Sequence, residues 1–118
     1  MTTERRRFLR LPCLLPVRIV PRGEHRAIET LTKTVSLGGL KCISPVERPV
    51  STPVTVELSI GPGREPILLQ GHVAWFEGLP HTDQFHLGIA FDGLDDRMLV
   101  HLSRYLDRIS TSLNPSNL

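Results

Sequence analysis

The sequence predicts a mostly β domain: an antiparallel sheet curled into a small barrel or sandwich, closed by a single C-terminal α-helix. Three observations carry this reading. Several segments alternate apolar and polar residues with period two, the mark of a half-buried strand. Turns rich in glycine, proline and serine separate them closely, with no helical stretch between, which favours an antiparallel architecture. Only the end of the chain switches to a spacing of three and four residues. At 118 residues, the chain has the size of one domain with one core.

Taken in order, Val17 and Ile19 flank Arg18, and residues 29–35 (ETLTKTV) are threonine-rich and suit a strand. Leu40 and Cys42 flank Lys41 in the next. Val54, Val56, Leu58 and Ile60 alternate with Thr55, Glu57 and Ser59. Residues 67–76 read as a longer strand with Val73 and Trp75 on one face. Phe85, Leu87, Ile89 and Phe91 alternate with His86, Gly88 and Ala90. The segments PRGEH, SLGG, SPVERPVSTP, GPGREP and GLPHTDQ are turns. In SLGG, Gly38 or Gly39 is expected at positive φ. Leu94, Met98, Leu99, Leu102, Tyr105, Leu106 and Ile109 then fall on one helical face, with Asp92 or Asp95 as the cap. The closing SLNPSNL lacks periodicity and is expected to fray.

Net charge is only +2, yet four of the 14 basic residues and one of the 12 acidic ones lie in residues 1–10, so the remainder is slightly acidic. The sequence therefore divides into a flexible arginine-rich segment (1–11), a barrel with its helix (12–110) and a disordered tail (111–118). No apolar run approaches the roughly 20 residues that cross a bilayer, and no secretory leader is present, so a cytoplasmic protein without a membrane span is expected. Cys13 and Cys42 sit in apolar, strand-like segments and read as buried reduced thiols.

Catalytic sets are lacking. His81, Asp83 and His86 span a loop and a strand start without metal-ligand spacing, Ser36 lies in no strand-elbow pattern, and Cys13 has no activating neighbour. The expectation is neither an enzyme nor a metal protein. Nucleic-acid binding through the basic N-terminus is disfavoured, because no basic stripe continues into the rest of the chain and aromatic residues are few.

The basic cluster and the SLGG turn gain meaning together. ERRRFLR, then a serine-glycine turn, then strands carrying HVAW and LGIAF, then a helix, is a pattern that resembles the PilZ family. These are small bacterial β-barrel domains that bind the second messenger cyclic di-GMP. The family motifs are RxxxR and [D/N]xSxxG. Arg6 to Arg10 matches the first, with Arg5 as a common additional arginine, and Ser36 and Gly39 match the second. The resemblance covers nearly the whole chain. It implies a six-stranded antiparallel β-barrel with one C-terminal helix. It also implies a ligand site of Arg5, Arg6, Arg10, Thr34, Ser36, Gly39 and Trp75. The implied ligand is cyclic di-GMP, alone or as an intercalated dimer, held by arginine forks and planes. Ser36 is expected to bond the ligand or brace the turn, and Gly39 to admit the ligand close to backbone. Trp75 is expected either beside the ligand or in the barrel core.

Thr34 departs from the pattern, standing where the family has Asp or Asn. The resemblance places that residue against guanine, where a carboxylate accepts from both N1–H and the exocyclic amine. A hydroxyl makes one neutral bond at best, and the lost contact is worth on the order of 1.5–3 kcal/mol, or roughly tenfold or more in affinity. Two functions follow. One is a cyclic di-GMP receptor that orders its arginine segment on binding and signals to an unidentified downstream protein, in motility, exopolysaccharide or biofilm control. The other is an adaptor that works by protein contacts, with weak or lost nucleotide binding.

Overall fold

The computed structural model describes residues 11–113, with side chains as far as Ile109. Seven strands precede one helix: β1 (Leu11–Pro12), β2 (Pro16–Pro21), β3 (Ile28–Val35), β4 (Gly39–Ser44), β5 (Pro53–Leu58), β6 (Ile67–Gly78), β7 (Phe85–Asp92) and α1 (Asp96–Leu113). All pairings are antiparallel. The six longer strands close into a barrel in the order β2-β5-β6-β7-β4-β3, with β3 returning to β2. Closure leaves no long unpaired edge.

Strand β1 lies on the stretch of β3 that β2 leaves open. Leu11 pairs with Val35 and Pro12 with Thr34, while β2 pairs with β3 only from Pro16 opposite Leu31 onward. Between them the backbone kinks, and the buried Thr32 hydroxyl bridges the kink by donating to the Cys13 carbonyl (2.7 Å) and accepting from Leu15 N–H (2.9 Å). Leu11 is already buried and paired.

The alternation seen in the sequence fills the barrel. Ile19, Val35, Cys42, Val56, Leu58, Leu69, Val73 and Leu87 are fully buried. Cys13 and Cys42 are unbridged. Burial pushes the Cys42 thiol up to about 12, which leaves it protonated and unreactive at neutral pH.

Asp95, not Asp92, caps the helix: its carboxylate accepts from Met98 N–H at 2.8 Å. Asp92 is instead engaged by His72, whose Nδ1 lies 2.9 Å from the carboxylate. Helix α1 contacts β1 and β6. Leu102 and Leu106 are buried, with Met98, Tyr105 and Ile109 packed at the margins. Leu99 falls off this face at 38% exposure, so the apolar stripe is narrower than the sequence suggests. The helix continues to Leu113, past the boundary drawn at 110, and the remainder of the expected tail lies outside the described residues.

Candidate functional site

Two β-bulges shape the outer surface of the barrel. On β3, Thr32 pairs with Cys42 but Thr34 pairs with Lys41, so Lys33 is an extra residue. On β6, Val73 pairs with Ile89 but Trp75 pairs with Gly88, so Ala74 is extra. Each bulge reverses the in–out phase of its strand. The second one overturns the expectation that Val73 and Trp75 share a face. Val73 is fully buried inside, whereas Trp75 turns outward and is half-buried.

The outward positions form a row across five strands. Pro12, Thr34, Lys41, Gly88 and Trp75 are successive cross-strand neighbours on β1, β3, β4, β7 and β6. Gly88 is required here, because a Cβ at that position would overlap the pyrrole ring of the Trp75 indole. The indole thus lies over the β7 backbone with its other side toward solvent.

The SLGG turn makes one wall. Ser36 N–H donates to the Gly39 carbonyl at 2.8 Å. The Ser36 hydroxyl accepts from Gly38 N–H (3.0 Å) and Gly39 N–H (3.2 Å) and donates to the Gly39 carbonyl (3.3 Å). These bonds brace the turn. Neither Gly38 nor Gly39 has positive φ, contrary to expectation. Gly39 is glycine for another reason: a Cβ there would strike the Ile89 backbone carbonyl of β7. The close approach that this glycine permits is between two strands. Gly39→Ala is therefore expected to lower unfolding stability by about 1–3 kcal/mol through overpacking, seen as a lower urea midpoint.

Row and turn together line an open groove of about 660 Å³. Of the residues expected from sequence, Thr34, Ser36, Gly39 and Trp75 all lie on it. Arg5, Arg6 and Arg10 fall outside the described residues. Lys41, Gly88, Ala74 and Ala90 also line the groove and were not anticipated. Lys41 carried a visible signal, as one of only two lysines at an outward strand position between Leu40 and Cys42.

The groove is electropositive by composition. Among its described lining residues Lys41 is the one charged side chain, and no carboxylate or carboxamide is present. At its edge, burial first, and then Lys41 and Lys33, hold the His86 imidazole below its ordinary value, with Glu77 opposing. Among the described residues no group of three or more His, Cys, Asp or Glu is placed to hold a metal ion.

The sequence matches the PilZ domain family over residues 4–108. The chain belongs to the PilZ family. Solved structures agree on the fold. The Bacillus subtilis inhibitor of motility MotI/DgrA superposes with a TM-score of 0.75 at 16% identity, over 92% of this chain and 52% of that one. This PilZ chain thus spans about half the length of that protein. The PilZ domain of Escherichia coli YcgR, solved with c-di-GMP, gives 0.71 at 13% identity over 92% and 95%. The PilZ domain of CeSA from a cellulose-synthesizing bacterium gives 0.62 at 18% identity over 84% and 98%. No curated protein sequence matches the chain.

Proposed function

We propose that this PilZ domain is a cyclic di-GMP receptor whose groove is one jaw of the site and whose N-terminal arginines are the other. The observation that carries the reading is the gathering of Thr34, Ser36, Gly39 and Trp75 on one groove, beside the strand from which the arginine segment departs. Leu11, paired with Val35, is joined through the backbone to Arg10. With at most about 3.6 Å of chain per residue, Arg5, Arg6 and Arg10 are all tethered within reach of a ligand on that surface.

The chemistry is complementary. The ligand brings two phosphates and two guanines. Arginine forks pair with phosphate oxygens or the guanine O6/N7 edge, and their planes stack on bases. The indole of Trp75 offers a second stacking surface. Binding neutralises residues 5–10 and orders them over the groove, and the surface so formed meets a downstream protein. The fold shared with the c-di-GMP-bound YcgR domain supports this ligand. The reading assigns the chain no reaction, a bacterial cytoplasmic setting, and a ligand taken singly or as an intercalated dimer. No helix among the described residues is long and apolar enough to cross a membrane.

Trp75 is the sole tryptophan, so it reports on its own site. Titrating cyclic di-GMP into the full chain is expected to quench or shift its emission saturably. An unchanged spectrum at ligand concentrations that saturate by calorimetry contradicts the placing of the ligand over Trp75. The second reading, an adaptor that works without nucleotide, draws on Thr34 and on the lack of a carboxylate among the groove's described lining residues.

A further inference from the structure

We propose that Lys41 is a ligand-contacting cation of the groove, and that with Thr34 it selects a 6-oxopurine by its O6/N7 edge while leaving N1–H and the exocyclic amine unread. The proposal rests on the cyclic di-GMP reading above and specifies how that site reads the base.

Position comes first. Lys41 is directly opposite Thr34 on one side and Gly88 on the other. Gly88 has no side chain and the Trp75 indole covers it, so on this row Lys41 lies between Thr34 and that indole. The Lys41 side chain forms no ion pair or hydrogen bond with any described residue, and is thus not committed to a structural role. An ammonium offers three donors and no acceptor. It is attracted to O6 and N7 of guanine or hypoxanthine and repelled by the N6 amine of adenine.

The acceptors are the second observation. Reading N1–H together with the exocyclic amine needs two acceptors side by side, and the described lining contains no Asp, Glu, Asn or Gln. The Ser36 hydroxyl already accepts two amides. The Gly39 carbonyl is taken by Ser36 N–H, and the Gly38 carbonyl by Phe91 N–H at 2.9 Å. Thr34 Oγ1 is the one side-chain acceptor left. Among the described residues, a base stacked on Trp75 therefore finds a donor for its O6/N7 edge in Lys41 and one side-chain acceptor, Thr34 Oγ1, for its N1/N2 edge.

The test is calorimetric titration of the full chain with cyclic di-GMP, cyclic di-IMP (which lacks only the exocyclic amines) and cyclic di-AMP. Native protein is expected to bind the guanine and hypoxanthine ligands within about fivefold of each other and the adenine ligand more than about tenfold more weakly. Lys41→Met, which keeps the stem on an outward position, should weaken both 6-oxo ligands about tenfold or more and narrow their lead over adenine, with an unchanged melting temperature. Thr34→Asp should create a preference for guanine over hypoxanthine. Native protein that prefers guanine over hypoxanthine by more than about fivefold, or Lys41→Met that binds as native does, overturns the inference and leaves the receptor reading standing. Failure of the native chain to bind any of the three overturns both.

Discussion

Arg6→Ala and Arg10→Ala are each expected to weaken cyclic di-GMP binding about tenfold or more, without moving the urea midpoint of the domain. A hydrogen bond to a charged group is worth roughly 1.5–3 kcal/mol, and about 1.4 kcal/mol is tenfold in affinity. Both arginines lie in the RxxxR stretch before Leu11, and on the receptor reading their loss touches recognition rather than folding. Arg6→Lys is expected to fall between native and alanine, since it keeps the charge and loses the fork. If both arginines hold the same ligand, the two changes should not add. Equal heats for native and both alanine variants would remove these arginines from the site.

Leu102→Ala is expected to lower unfolding stability by about 2–5 kcal/mol. For a domain of this size, each kcal/mol corresponds to about 4 °C in melting temperature. Leu102 is fully buried where α1 packs on the barrel, and truncation leaves a cavity that the closed sheet cannot collapse to fill. Leu99→Ala is the matched control. The two leucines look alike by helical spacing, but Leu99 is 38% exposed, and its truncation should cost within about 0.5 kcal/mol. Similar losses in both would mean that the helix docks on a different face. Helix α1 also contacts β1, the strand that follows the arginine segment in the sequence.

These expectations separate what the sequence makes legible from what it does not. Alternation at positions such as 54–60 and 85–91 located the long strands, and three-four spacing located the helix, because each reflects one face meeting one core. The serine-glycine turn was legible for the same local reason. A bulge is a different kind of feature. Nothing in the side chains of Lys33 or Ala74 announces that the strand gains a residue there, and the gain is defined only against the partner strand. One unseen residue moved Trp75 from the core side to the groove. Gly39 does not have the positive φ expected of the turn; what leaves no room for a Cβ there is the β7 backbone, a neighbour far away in sequence. Strand β1 escaped notice because two residues are too short to show a period. Lys41 escaped because its meaning depends on lying between Thr34 and Gly88, a cross-strand fact.

Thr34 remains the residue on which receptor and adaptor readings divide. It sits on the groove floor as the family pattern implies, and the described residues supply no carboxylate in its place. A calorimetric isotherm of cyclic di-GMP with the full chain decides between them most directly. The receptor reading predicts saturable heat, with a stoichiometry that distinguishes a single ligand from an intercalated pair. An absence of saturable heat, with the chain folded and the ligand in large excess, would contradict it and leave the adaptor.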